Sequence, residues 1–309
     1  MTASTEDIRP LGEQDLPAAL ALSTAASWNQ VAADWAWMLQ AGQGWGVWRQ
    51  PADGPPTLVA STLVLPYGRD FAWISMVLVL PSCRRQGLAS RLLSHALQHL
   101  QSQGRCAVLD ATADGQAVYQ QRGFRGDWML SRHRCEVLSV APVASGQSSL
   151  TAQAPVGIRP LQPADWAAIR ALDLPAFGAD RVALLQSLAE GLPRAAWVAV
   201  AGPTALNPLS GYVLARRGRV ATQIGPLVAA DESTARALLS QVLQALPGPW
   251  IVDLPVQHAA WQDWLQQLGF VGQRNFLRML RNSPGPTANW RHAPGDPRQI
   301  YLVGGPELG

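Results

Sequence analysis

Lysine is absent from the 309 residues, so every basic side-chain charge that persists above neutral pH belongs to arginine. The excess over acidic side chains is only +3 and is spread over both halves. No basic stripe interleaved with aromatics is present, which argues against a nucleic-acid partner. Cysteine is scarce, and Cys83, Cys106 and Cys135 have neither paired spacing nor a histidine cluster beside them. That excludes a disulfide framework and a zinc pattern, and predicts a reducing compartment and no bound metal. No apolar run approaches the roughly 18 residues of a membrane span. The opening residues Met1 to Asp7 lack the charged-then-apolar order of an export signal, so a cytoplasmic protein with no membrane partner is expected.

What is present is apolar and repeated. Apolar residues make up 48% of the chain and charged residues 15%, a balance that supports large cores. The length suits two domains of about 150 residues each. Ile8-Arg9-Pro10-Leu11 recurs as Ile158-Arg159-Pro160-Leu161, with Asp15 matched by Asp165 at the expected start of a first helix. Further on, Leu92-Leu93-Ser94 recurs as Leu238-Leu239-Ser240, and Gln120-Gln121-Arg122-Gly123-Phe124 as Gln266-Gln267-Leu268-Gly269-Phe270. Between the copies, Ala144 to Pro155 is rich in small and turn-forming residues. The repeat therefore predicts domains over 1–141 and 156–282, a linker over 142–155 and a tail over 283–309. Each copy reads as α+β, a mixed and mostly antiparallel sheet with helices on both faces. In the first, strands are expected over 45–48, 58–65 and 71–80 and a helix over 88–100; in the second, strands over 197–201, 211–215 and 220–228.

One turn in the first copy carries chemistry. The apolar run ending Val77-Leu78-Val79-Leu80-Pro81 is followed by Arg84-Arg85-Gln86-Gly87-Leu88-Ala89, then by the amphipathic stretch from Ser90. A basic, glycine-containing turn at a helix start offers unpaired N–H groups and a favourable dipole to a diphosphate. Cys83 in this turn reads as a neutral turn residue rather than a nucleophile. Downstream, Tyr119 stands four residues before Gly123-Phe124.

The order Val-x-Pro-x-x-Arg-x-x-Gly-x-Ala from Val79 to Ala89, followed by Tyr119-x-x-x-Gly123-Phe124, resembles the GNAT superfamily of N-acyltransferases. The second half resembles the degenerate, YitH-like GNAT domain of tandem bacterial proteins through Gly211-Tyr212-Val213-Leu214, Arg217-Gly218, Ile224-Gly225-Pro226-Leu227, Asp253-Leu254-Pro255, Gly269-Phe270 and Arg278-Met279. The resemblance implies two tandem GNAT folds. It also implies acetyl-CoA as cosubstrate and a small-molecule amine as acceptor, with a monomer pairing its two copies internally. Val77, Leu78 and Val79 are expected along the pantetheine arm, and Arg84, Arg85, Gln86, Gly87, Leu88, Ala89 and Ser90 around the diphosphate. Tyr119 is expected as general acid for the departing thiolate, a phenol of pKa about 10 serving a thiol of about 8.5.

No general base is evident, because the stretch 71–80 holds only Ser75 as a polar side chain. Asp110 is expected as a strand-end helix cap, with water-holding as the other reading. His95 and His99 are expected to face solvent. Trp28-Asn29-Gln30 and Trp35-Ala36-Trp37 are expected on the first two helices, with acceptor recognition nearby. Facing the diphosphate turn, the second copy has Ala230-Asp231-Glu232-Ser233-Thr234-Ala235, and facing Tyr119 it has Leu265. One active and one degenerate domain follow from that asymmetry. A missing base keeps open the alternative of a non-catalytic acyl-CoA binding or sensing protein. Around 299–303 the tail has a strand-like core that suits either an edge strand or a cleft.

Overall fold

The computed structural model describes residues 7–50, 54–141, 156–201, 208–283 and 290–309. The linker expected over 142–155 lies outside these residues. The chain divides into two units. One comprises Met1–Asp127 with Met279–His292 and Leu308, the other Trp128–Arg278 with Ala293–Glu307 and Gly309.

In the first unit the elements run β1 (Ile8–Leu11), α1 (Leu16–Ala25), α2 (Ala32–Ala41), β2 (Gln43–Arg49), β3 (Thr57–Tyr67), β4 (Phe71–Val79), α3 (Leu88–Ser102), β5 (Cys106–Thr112) and α4 (Ala113–Gln120). Strands β1 to β4 pair antiparallel in chain order, and β5 joins β4 in parallel after the crossover through α3. Helix α3 buries Leu88, Leu92, Leu93, Ala96, Leu97 and Leu100, the apolar stripe that its spacing predicts. His95 and His99 do not simply face solvent. Each is half-buried and meets the Trp45 ring edge-on at 5.0 Å, so the pair clamps that indole. Trp35 is fully buried, its Nε1 donating to Ser23 Oγ at 3.0 Å, while Trp37 is half-buried. Trp28, Asn29 and Gln30 lie in the loop between α1 and α2 rather than on either helix. This unit is completed by residues from far along the chain: Trp290 meets Phe71 edge-on at 5.6 Å, and the Ser283 amide donates to Cys106 Sγ at 3.4 Å.

The second unit repeats the plan. Its elements are β6 (Arg125–Cys135), β7 (Val156–Pro160), α5 (Trp166–Phe177), α6 (Val182–Gly191), β8 (Trp197–Ala201), β9 (Leu209–Arg216), β10 (Thr222–Ala229), α7 (Glu232–Ala245), β11 (Trp250–Pro255), α8 (Ala259–Gln267), β12 (Val271–Arg281) and β13 (Ile300–Leu302). Strand order is β12-β6-β11-β10-β9-β8-β7, with β13 on β10. One face of this sheet packs Val213, Ile224, Leu227 and Val252 against Leu238, Leu239 and Val242 of α7 and Trp261 and Leu265 of α8.

Alternate residues point to the other face, and several are charged. Asp253 and Arg132 are register partners, and the guanidinium grips the carboxylate through two bonds of 2.7 Å while Gln223 Nε2 adds a third at 3.0 Å. On α5, Asp173 is held likewise by Arg181 through two bonds of 2.9 Å and by the Tyr212 hydroxyl. Buried ions persist only when bonded in this way.

Candidate active site

Between β4 and β5 the first unit opens a gap, and a bulge explains it. The two strands pair only through Phe71–Trp73 with Cys106–Val108. On the other side of β4, Ser75 faces Leu63 and Leu78 faces Ser61, so Met76 and Val77 share the single partner position of Thr62. Met76 takes the left-handed backbone, φ +49°. Its displaced carbonyl accepts a bond from Ser61 Oγ at 2.8 Å. A bulge of this kind bends a strand and increases its twist, and here β4 turns away from β5. Among the described residues no strand pairs with β4 beyond Trp73 on that side, so main-chain groups around Val77, Leu78 and Val79 form an open edge. Val77 and Val79 are half-buried and Leu78 is buried. Nothing in the residue types announces the bulge; Met is not a residue that favours φ above zero.

At the end of the same strand lies the basic turn. Arg84, Arg85, Gln86 and Gly87 are exposed. Gly87 caps α3 with φ +78°, and a Cβ there would meet open space within 4 Å, so its backbone angle rather than crowding calls for glycine. No side chain caps this helix start. The amides of Leu88, Ala89 and Ser90 therefore remain the unpaired donors of the first turn. Arg49, at the end of β2, reaches into the turn: its Nη1 donates to Cys83 Sγ at 3.2 Å and its Nη2 bonds Gln86 Oε1. Arg49 was not among the expected site residues because it stands thirty residues before Val79, where the motif begins. A diphosphate fits the open helix start with its arginines, and an amide-bearing arm fits the open strand edge, so the residues suit an acyl-CoA.

Tyr119 is placed by the strand that forms the other wall of the gap. Strand β5 runs directly into α4, and the ring leans back over Gly115, where a Cβ would stand 2.8 Å from Tyr119 Cε2. After the helix, Gly123 takes φ +82° and lets the amides of Arg122 and Phe124 return to the Tyr119 carbonyl at 2.9 and 3.1 Å. That turn brings the Phe124 ring edge-on to Tyr119 at 5.8 Å. The Tyr-x-x-x-Gly-Phe spacing is thus a helix-ending motif that fixes a phenol. Among the described residues nothing bonds the hydroxyl, and desolvation pushes its pKa well above the ordinary value. A phenol shifted in this direction keeps its proton at neutral pH and gives it up less readily than a free tyrosine.

Asp110 is not a helix cap. It lies within β5, half-buried and two residues past the last pairing with β4, while Thr112 precedes α4. Ser75 is buried with its hydroxyl on Met38 Sδ at 3.8 Å, a core position. Among the described residues no cluster of histidine, cysteine and carboxylate side chains has the make-up of a metal site, and no helix is long and apolar enough to cross a membrane.

The second unit keeps the frame and finishes each part differently. Strands β10 and β11 pair in parallel only through Thr222–Ile224 and Trp250–Val252, and Gly225 and Pro226 share the partner position of Leu214 in a matching bulge. The start of α7 is closed by Asp231, whose carboxylate accepts the Thr234 amide at 2.8 Å and the Ser233 hydroxyl at 2.7 Å. Burial works to raise the pKa of this carboxyl, but those bonds outweigh it and leave the net shift downward. Gly269 and Phe270 repeat the helix-ending turn, the Phe270 amide bonding the Leu265 carbonyl at 3.0 Å, with a buried leucine in place of the phenol.

A gap between parallel strands beside an uncapped helix start with exposed arginines is an arrangement that suits an acyl-CoA-dependent transferase. Residues 20–124 match the model of the Acetyltransferase (GNAT) family, and residues 169–293 match that of an Acetyltransferase (GNAT) domain. The chain belongs to the GNAT family and carries two such domains in tandem. It is 24% identical over 253 residues to the holothin acyltransferase of Pseudoalteromonas sp. (strain SANK 73390), covering 81% of this chain and 78% of that one. It is 26% identical over 198 residues to the uncharacterized N-acetyltransferase YitH of Bacillus subtilis (strain 168), covering 64% of this chain. That match spans 65% of YitH, just under two thirds of its length. The crystal structure of a candidate acetyltransferase from Pyrococcus horikoshii superimposes with a TM-score of 0.74 at 18% identity, covering 100% of this chain and 98% of the other, which shows a shared fold.

Proposed function

We propose that this acyltransferase-family chain is an acetyl-CoA-dependent N-acetyltransferase acting on the amine of a small molecule, with its one working site in the first unit. The observation that carries the reading is the open edge of β4 at Val77–Val79 beside the uncapped start of α3. The bound cosubstrate supplies an acetyl thioester. Around its diphosphate, Arg84, Arg85, Gln86 and the amides of Gly87, Leu88, Ala89 and Ser90 provide donors, and Arg49 adds a guanidinium from β2. Main-chain groups of Val77, Leu78 and Val79 orient the arm, and one amide aimed at the developing oxyanion is worth about 3–4 kcal/mol.

The acceptor nitrogen attacks the thioester carbon directly, the C–N bond forms, and the C–S bond breaks. Tyr119 gives its proton to the departing sulfur as the C–S bond breaks; its raised pKa works against that transfer, so the assignment rests on the ring's place on α4 at the wall of the gap. Asp110, the carboxylate within β5 past the point where the strands part, takes up the amine proton through water. The relatives named an acyltransferase and an N-acetyltransferase support this reaction class.

The test is release of coenzyme A thiol from acetyl-CoA with a panel of amines, amino acids and amino sugars. Turnover with at least one acceptor is expected. Tight acetyl-CoA binding with no thiol released by any amine would make the chain a binding or sensing protein instead.

A further inference from the structure

The gap between β10 and β11 is filled by the chain itself. Strand β13 enters it antiparallel to β10, with Leu302 opposite Leu227 and Ile300 opposite Val228. The Ala229 amide donates to the Gln299 carbonyl at 3.2 Å, and on the far side the Val303 amide donates to the Asp253 carbonyl of β11 at 2.9 Å. The segment is therefore bonded to both walls. At the bulge a Cβ on Gly225 would stand 2.0 Å from the Val303 carbonyl oxygen, so the room left by the missing side chain is taken by this strand. Ile300, Leu302 and Val303 are buried, and Tyr301 stacks on His258 at 4.6 Å and meets Trp261 edge-on at 5.3 Å. His258 Nε2 donates to the Pro297 and Ile300 carbonyls at 3.1 and 3.0 Å. Beyond the strand, Glu307 is paired with buried Arg216.

We infer that the gap of the second unit is an extended-peptide site whose occupant is residues 299–303 of the same chain, which closes it to any acyl-thioester arm and limits each polypeptide to one coenzyme. In the first unit the corresponding strand edge is the one left open among the described residues. The occupant has the chemistry that such an edge selects: main-chain donors and acceptors along its length and apolar side chains between two sheet strands. An amide-bearing pantetheine arm would compete for the same groups, and it would enter without the diphosphate anchor, since Asp231 has already taken the α7 amide. The coenzyme count rests on the proposed function; the occupancy of the gap does not.

Native mass spectrometry with coenzyme A and hydrogen exchange of the full chain test the inference together. One bound coenzyme is expected, with slow exchange at Ala229 and across 299–303 that saturating coenzyme leaves unchanged. A second equivalent, or faster exchange across 299–303 on adding coenzyme, would overturn it. In Gly225→Ala, which crowds the Val303 carbonyl, exchange at Ala229 and Val303 should rise by about tenfold or more; unchanged exchange in the folded variant would equally overturn it. Should Gly225→Ala fail to fold, the same exchange readout on Val303→Pro, which deletes the bond to Asp253, replaces it. If no coenzyme binds at all, the proposed function fails, and the exchange comparison still decides the strand.

Discussion

The first turns of α3 and α7 hold the same place in the two repeats and are finished in opposite ways. Ahead of α3 stand exposed arginines and a glycine in the left-handed backbone, with no side chain on the free amides. Ahead of α7 stands a carboxylate that has already accepted one of them. A helix start can be capped from within for stability or left open for an anion, and the same amides cannot do both. The gaps beside these helices differ in parallel: one strand edge is open, the other carries β13. Gly-Phe turns and core leucines survive in both copies because packing needs them wherever the fold forms. Among the described residues, the phenol, the basic turn and the open edge occur in the first copy alone, where the proposed site lies.

The sharpest way to break this contrast is at Tyr119. Tyr119→Phe keeps the ring contact with Phe124 and should lower kcat by about 10²–10⁴-fold with acetyl-CoA affinity nearly unchanged; full turnover in steady-state assays would reduce the residue to packing. Next is Gly87→Val, which forces a branched residue into φ +78°. A cost of about 1–2 kcal/mol for that backbone predicts acetyl-CoA binding weaker by about 5–30-fold, measured by calorimetry. Asp110→Asn removes the proposed proton acceptor but leaves the strand, so kcat should fall about tenfold or more at neutral pH, with the loss shrinking as assay pH rises and more amine is already deprotonated.

The smallest effect sharpens the comparison from the other side. Asp231→Ala should cost about 1 kcal/mol of stability by chemical denaturation and should create no coenzyme site, because β13 still fills the gap. The sign of its pH dependence follows from the depressed carboxyl. The stabilisation is present above the unfolded pKa of about 3.9 and is lost as pH falls through the lower folded value, so variant and parent converge in acid.

Much of this layout was legible in the residues. Leucine spacing marks α3, the recurrence of Ile-Arg-Pro-Leu and Gly-Phe marks the duplication, and the loss of glycine at 230–235 marks the second turn as closed to phosphate. The bulge was not legible, because Met76 adopts its backbone under the constraint of β3 pairing and the Ser61 bond, both of which are tertiary. Arg49 was hidden for a related reason: sheet pairing, not chain proximity, brings the end of β2 to the turn. Asp110 read as a cap because β5 continues two residues beyond it, to Thr112. The segment at 299–303 read as a strand, but its choice of gap depends on Gly225 and on the walls at Ala229 and Asp253, contacts that span up to seventy-eight residues of chain.

Residues 279–292 belong to the first unit, although more than a hundred and fifty residues of the second are made before them. A ribosome must therefore make residues 128–278 of the second unit before the part proposed to do the chemistry has all its pieces. A shortened gene ending in the stretch between the repeats would encode the motifs and still omit Trp290 and Ser283, which rest on Phe71 and Cys106 at the base of β4 and β5. An interrupted product of that kind lacks part of the support for the two strands that part beyond Trp73 and Val108.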